Sequence, residues 1–538
     1  MIYRLFEILP GLLTWATLVA MFVFSAYLPA AVAVFIILFD IYWLLKTFYL
    51  SFHLRTTFIS MRRNLQTDWI AKLDKLKSDT NNPNYIRMSP IAEADDIRTK
   101  FARLPAGRDF SGRLNWKDIY HLIILPMVDE SADVVLESFE SLAKAEYPRD
   151  KMLVVLATEE RAGEKAQLIA RKVRERFGDT FGKFLITAHP KDLPGEIIGK
   201  GSNETWATKE AKKIIIDPGG LDYKKILVSV FDVDTQIYPH YFSRLTYVFL
   251  NVEHPYRSAY QPIPLFTNNV YQAPALARVV SFSSTFWQMM QQSRPERLTT
   301  FSSQSLPFQT LLDIGYWETD MVSEDSRVFW QCFLRYNGDF RVEPLLYPVS
   351  MDANAGPTFW QTMANLYRQQ RRWAWGAENI PYMLTGFFKN VAISWRKKLY
   401  WTFNVIEGFH SWATNSLLIF AMGWLPLFLG GERFGYTLLS HSLPQITRLI
   451  IQLSMLGIVT SAIVSILLLP PREKNFRSWH YVFYFLQWAL LPATLIVFGA
   501  IPAIEAQTRL MLGGKFRLGF WVTPKHRAQI SNNQITNF

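Results

Sequence analysis

The chain has 538 residues, more than one hydrophobic core usually organises, and combines 50% hydrophobic and 15% aromatic residues with 19% charged ones. A mean hydropathy of +0.05 is too low for a wholly membrane-embedded protein, so apolar and charged residues are segregated along the chain. The net charge of +12 suits an anionic partner, and with so many apolar runs lipid or an anionic substrate is favoured over nucleic acid; the one cysteine, Cys332, excludes an intrachain disulfide and a cysteine-based metal site.

Residues 8–28 and 29–48 are two apolar stretches separated by Tyr27-Leu28-Pro29 and broken only by Asp40. Each approaches the roughly 20 residues that cross a bilayer as a helix. A cleaved signal peptide fits the first poorly, because its basic start is only Arg4 and a second span follows at once. Two crossings return the chain to its starting side, and Lys46, His53, Arg55, Arg62 and Arg63 then mark that side as cytoplasmic. Residues 64–117 are polar, with Asn81-Asn82-Pro83-Asn84 as a turn or linker signal.

From His121 short apolar runs alternate with amphipathic segments, the pattern of an α/β domain. The runs are Leu122–Leu125, Met152–Leu156, Phe184–Ala188 and Ile226–Phe231. Ligands of such half-sheets sit at the carboxyl ends of the strands. Asp129-Glu130 and Asp232-Val233-Asp234 fall there. If the strand continues through them, Asp232 and Asp234 point the same way and converge on one hard cation; the alternative is a strand running into an Asx-type turn.

Gly195 to Ser202 has the look of a phosphate-binding loop, but the spacing is one residue short and Lys200 is not followed by Ser or Thr. Lys200 is then either a phosphate contact at the sheet edge or a solvated loop lysine. Segments 238–251 and 274–292 read as helices. Ser323-Glu324-Asp325 opens another, with acids suited to a first turn; its functional reading makes Asp325 a general base for a hydroxyl. In Tyr367 to Gly376, three arginines interleaved with aromatics suit either an interfacial helix or a diphosphate grip backed by a flat face for a sugar.

Further apolar stretches cover 400–429, 446–469 and 479–505. Arg396, Lys397 and Lys398 before the first, and Arg472, Lys474 and Arg477 between the second and third, both read as cytoplasmic. A third crossing would put the basic tail outside, against the same rule, so one stretch is re-entrant or a crossing is missed; Pro492 and Pro502 make the last the least regular.

Taken in order, Pro126-Met127-Val128-Asp129-Glu130, Lys200-Gly201-Ser202-Asn203, Asp232-Val233-Asp234, Ser323-Glu324-Asp325 and Gln369-Gln370-Arg371-Arg372-Trp373 resemble the membrane-bound glycosyltransferases of family 2, the group of cellulose, hyaluronan and chitin synthases. The last matches the Q-x-x-R-W pattern in full. Phe520-Trp521-Val522-Thr523-Pro524-Lys525 looks like that family's F-x-V-T-x-K gating loop, which favours a cytosolic tail.

The resemblance implies an α/β fold, a cytosolic GT-A domain inserted between transmembrane helices of a multi-pass plasma- or inner-membrane protein. Its layout would be two membrane helices in 1–50, a linker or interface region in 51–117, the GT-A domain in 118–377, an interface helix in 378–399, three or four membrane helices in 400–505 and a basic tail in 506–538. It also implies an inverting, metal-dependent transfer from a nucleotide diphosphate sugar, UDP-sugar favoured and GDP-sugar possible, to a carbohydrate or lipid hydroxyl. A processive polysaccharide synthase is favoured over a single-sugar transferase making a glycolipid, and over a non-catalytic nucleotide-binding membrane sensor or subunit.

By the same resemblance Asp325 is the base, and Asp129, Glu130, Lys200, Asn203, Asp232, Gln369 and Arg372 meet the donor. Glu324 and Trp373 meet the acceptor, and Asp234 with Asp232 holds Mg²⁺ or Mn²⁺. Two departures stand out. Leu156-Ala157-Thr158-Glu159-Glu160 replaces the family's D-D-x-S type turn, and Phe301-Ser302-Ser303-Gln304-Ser305-Leu306 replaces its F-x-C-G-T element.

Overall fold

A computed structural model describes residues 2–78, 114–471, 479–524 and 527. Asn81-Asn82-Pro83-Asn84, the cluster Arg472, Lys474 and Arg477, and Lys525 lie outside the described residues. The chain forms two compact units, a helical one of residues 1–55, 266–290 and 352–538 and a sheet-bearing one of residues 56–265 and 291–351. Residues 266–290 and 352–377, including Gln369, Arg372 and Trp373, fall in the helical unit.

In the sheet unit the apolar runs form strands as expected. They are β1 (Tyr120–Pro126), β2 (Met152–Glu159), β3 (Lys183–His189) and β4 (Ile226–Val230). β1 pairs in parallel with β2 and β4, and β2 with β3. Every residue of β2 and β4 is buried, which is why they read as continuous apolar runs rather than alternating ones. Burying each large aliphatic side chain contributes roughly 1.5–3 kcal/mol.

Four strands were not legible in the pattern: β5 (Gln236–Ile237), β6 (Ser258–Leu265), β7 (Ser305–Pro307) and β8 (Arg341–Ser350). The sheet order is β3-β2-β1-β4-β7-β6-β8-β5. Pro262 and Pro264 in β6 and Pro344 and Pro348 in β8 argue against strands in a sequence. Here they coincide with a register irregularity between Gln261 and Ile263. The expected helices are present as Tyr241–Asn251 and Ala275–Gln292.

The helical unit holds, among the described residues, four helices long and apolar enough to cross a membrane: Ile2–Tyr27, Pro29–Leu65, Leu438–Leu467 and His480–Leu512. Trp395–Phe420 and Met422–Leu429 form a pair bent by 51° that makes a fifth if it counts as one span. The helix from Pro29 runs to Leu65, well past the apolar stretch ending at 48. His480–Leu512 is irregular where proline predicts it: a 3₁₀ turn spans Gln487–Leu490, a π turn spans Ile496–Ala500, and Pro492 and Pro502 flank them.

Candidate functional site

The strand order reverses at the parallel pair β1 and β4, with β2 and β3 beyond β1 and the mixed strands β7, β6, β8 and β5 beyond β4. A crevice at the carboxyl ends of such a strand pair is where α/β sheets bind ligands. Asp129 and Glu130 follow β1, and Asp232 follows β4.

The Asp232-Val233-Asp234 stretch is a turn, not a continuing strand. β4 ends at Val230, and Thr235 N donates to Asp232 O at 2.8 Å. Strand alternation therefore does not aim the two carboxylates; the turn does. It is pinned from behind by Ser138 Oγ donating to Val233 O at 2.7 Å. Asp234 is fully buried, while the Asp232 side chain keeps 29% of its surface.

Three other segments converge on Asp232. Ser302 Oγ donates to Asp232 Oδ2 at 2.9 Å, from a loop in which Ser303 adopts a left-handed backbone, φ 66°, uncommon for a residue with a side chain. The helix Lys200–Ala211 brings Lys200 Nζ to 3.0 Å from Asp232 Oδ1. The helix Glu324–Arg335 brings Asp325 Oδ1 to 3.0 Å from the same ammonium. Both helices begin at the site, and Gly201 lets them approach: a Cβ there would stand 2.7 Å from Glu318 O and 3.1 Å from Glu324 Cβ.

The sequence pattern did not mark two further residues. Glu204, one turn beyond Lys200, is fully buried with its Oε1 3.2 Å from Lys200 Nζ. Among the described residues, carboxylate oxygens of Glu204, Glu324 and Asp325 lie within 4.8 Å of one another. The i, i+4 spacing of Lys200 and Glu204 was a signal, hidden inside a segment that reads as a loop. Gln304 is also fully buried, and neither atom of its amide has a hydrogen-bond partner among the described residues. Its backbone oxygen accepts from Val230 N at 3.1 Å.

The electrostatics follow from this packing. Burial alone would lower the Lys200 ammonium, but Asp232, Asp325 and Glu204 together lift it well above the usual lysine value. Burial raises the Glu204 carboxyl well above the carboxylate range; Lys200 opposes that, and Glu324 and Asp325 add to it.

The remaining expected residues fall as follows. Asp129 is exposed, with its carbonyl 3.4 Å from Lys165 Nζ, and Glu130 Oε2 accepts from Val128 N at 2.8 Å in its own loop. Asn203 is buried and gives its amide to Ala157 O at 2.8 Å, clamping its helix to the end of β2. Glu159 pairs with Arg161, and Glu160 Oε2 accepts from Lys191 N at 3.0 Å. Glu324 is buried beside Asp325.

In the helical unit, Gln369, Arg372 and Trp373 lie on one helix, Phe359–Ala374. Gln369 Oε1 accepts from Asn354 Nδ2 at 3.4 Å, the Arg372 guanidinium lies 5.6 Å from the Phe520 ring centre, and Trp373 packs against Phe266. Arg371 pairs with Glu505 at 2.6 Å.

The donor set of the Asp232–Asp234 turn is oxygen only, the chemistry that Mg²⁺ and Mn²⁺ take, and the Lys200 ammonium already holds a cation against Asp232 at 3.0 Å. No protein-family model matches the chain. The poly-β-1,6-N-acetyl-D-glucosamine synthases of Staphylococcus aureus are 33% identical over 81 residues, 15% of this chain. The chain spans 17% of the length of these curated relatives. Among solved structures, a mannosyltransferase of Pyrobaculum calidifontis in complex with GDP-Man and Mn²⁺ covers 82% of this chain and 99% of its own at 13% identity and a TM-score of 0.37. S. aureus TarS 1–349 in complex with UDP-GlcNAc covers 64% and 90% at 14% identity and a TM-score of 0.34.

Proposed function

We propose that this chain is a membrane glycosyltransferase of GT-A type that moves a sugar from a nucleoside diphosphate sugar to an acceptor hydroxyl with inversion, as a processive polysaccharide synthase. The observation that carries the reading is Lys200, which joins Asp232 at the end of β4 to Asp325 at the start of its helix, 3.0 Å from each. The short match to poly-N-acetylglucosamine synthases agrees with it.

In this reading Asp325 takes the acceptor proton as the new bond to the sugar's anomeric carbon forms and the bond to the diphosphate oxygen breaks. Lys200 meets the departing diphosphate. Asp232 and Asp234 would hold Mg²⁺ or Mn²⁺, which supplies charge for that leaving group. Asp129 and Glu130 are assigned to the donor by their place at the end of β1. Gln369 and Arg372 as diphosphate contacts, and Trp373 and Glu324 on the acceptor, rest on the sequence pattern.

The test is nucleoside diphosphate release from a panel of UDP- and GDP-sugars with Mn²⁺ or Mg²⁺. The reading expects one donor to support release, EDTA to stop it and the labelled product to be polymeric. Release from no donor defeats it, and one discrete glycolipid replaces the synthase by a single-sugar transferase.

Contacts within the helical unit support a multi-pass arrangement with the tail on the starting side of the chain. Arg4 donates to Leu510 O at 3.0 Å and to Met511 O, Glu7 pairs with Arg517, and Thr14 donates to Gln507 at 2.7 Å. The last helix therefore ends where the first begins.

A further inference from the structure

The Lys200 ammonium has three carboxylate partners, and they are not equivalent. Asp232 and Asp325 keep 29% and 24% of their side-chain surface, whereas Glu204 keeps none. The two accessible ones are the groups that a donor, a cation and an acceptor hydroxyl would engage. Glu204 lies one turn along the same helix and faces the same way as Lys200, sealed beneath it. A buried ammonium needs an anion. When ligands claim Asp232 and Asp325, Glu204 is the partner that stays.

We propose that Glu204 is a positioning residue for Lys200, the enclosed partner that keeps the ammonium aimed at the diphosphate of the donor. This rests on the glycosyltransferase reading. The charged groups around Glu204 are Lys200 on its own helix, and Glu324 and Asp325 on the helix Glu324–Arg335. Glu324 and Asp325 repel it, so Lys200 is the one group of that set that draws it.

The experiment measures binding of UDP and GDP, each with Mn²⁺, to the full chain and to Glu204→Gln, Glu204→Asp, Lys200→Met and the double variant Glu204→Gln/Lys200→Met. Melting temperatures confirm folding. Glu204→Gln is expected to weaken nucleoside diphosphate binding about tenfold. Glu204→Asp, which keeps the charge, recovers part of the loss, and Lys200→Met loses at least as much as Glu204→Gln. In the Lys200→Met background the Glu204 change costs nothing further, because a group acting through another is silent once that other is gone. Should Glu204→Gln not fold, Glu204→Asp carries the same comparison. Wild-type affinity in both Glu204 variants, or losses that multiply in the double variant, overturns the proposal. A wild-type protein that binds neither nucleotide overturns the donor reading itself, a different result from a wild type that binds and a Glu204 series that does not respond.

Discussion

The Nζ of Lys200 stands 3.0 Å from Oδ1 of Asp325, across 125 positions of sequence. The carboxylate proposed as base is thus held by an ammonium that also holds Asp232, and it cannot swing away from the end of β4. Asp325→Asn keeps the shape and leaves Lys200 two other anions, so the fold and nucleoside diphosphate binding are expected to survive. Turnover is expected to fall by roughly 10²- to 10⁴-fold, the usual contribution of a general base. Steady-state rates beside a binding titration check it, and near-normal turnover would remove Asp325 from the base role.

The hydrogen bond from Ser302 to Asp232 makes a smaller claim. Ser302→Ala removes one neutral donor to a carboxylate, worth about 1.5 kcal/mol or roughly a tenfold change in an equilibrium. The concentration of Mn²⁺ that half-saturates nucleotide release should rise by about that factor, with little change in the maximal rate. A Mn²⁺ titration identical to wild type would mean that Ser302 does not orient Asp232 for a cation.

His121 makes stability depend on pH. It is fully buried against Tyr147 and Phe242, bonded to Thr246 at 2.9 Å, and burial lowers its pKa from 6.5 to about 3. Above pH 6.5 the imidazole is neutral in folded and unfolded chains alike. As pH falls below 6.5 the unfolded chain takes up a proton that the folded chain refuses, so stability is lost until pH approaches 3. The slope is about 1.4 kcal/mol per pH unit. His121→Leu should flatten the fall in melting temperature between pH 7 and pH 4.5. An unchanged slope would place the acid sensitivity elsewhere.

The half-sheet was legible because β1, β2 and β4 are buried on both faces, and burial on both faces writes a short, continuous apolar run into the chain. β6 and β8 were not, because each carries two prolines, and their pairing is decided by partners distant in the chain. The site divides the same way. Asp232 and Asp325 were singled out because each stands at a local boundary that the sequence marks, the end of an apolar run and the start of an amphipathic helix. Glu204 could not, since its burial depends on a helix whose start at Lys200 was masked by glycines. The Asp232 turn shows the limit of periodicity: an alternation of two residues reads as strand until Thr235 closes back on Asp232.

The last prediction concerns the membrane. Arg4 and Glu7 bind the end of the helix Ile501–Leu512 and Arg517, so the tail shares the side on which the first helix starts. On the proposed multi-pass arrangement an even number of crossings lies between residue 395 and the tail, so one of the three apolar stretches after it is expected not to cross. Leaving the last one uncrossed is the assignment that keeps Arg396 to Lys398, Arg472 to Arg477 and Arg509 to Arg517 all on the cytoplasmic side. The proline-broken course of His480–Leu512 suits a segment that enters and leaves by the same face. Because Cys332 is the one cysteine, a Cys332→Ser background permits single-site labelling with an impermeant maleimide. Lys474→Cys and Lys515→Cys should both label from the face that labels Lys117→Cys, and Glu432→Cys from the opposite face. Labelling of Lys474→Cys with Glu432→Cys instead would make His480–Leu512 a true span and Leu438–Leu467 the segment that does not cross.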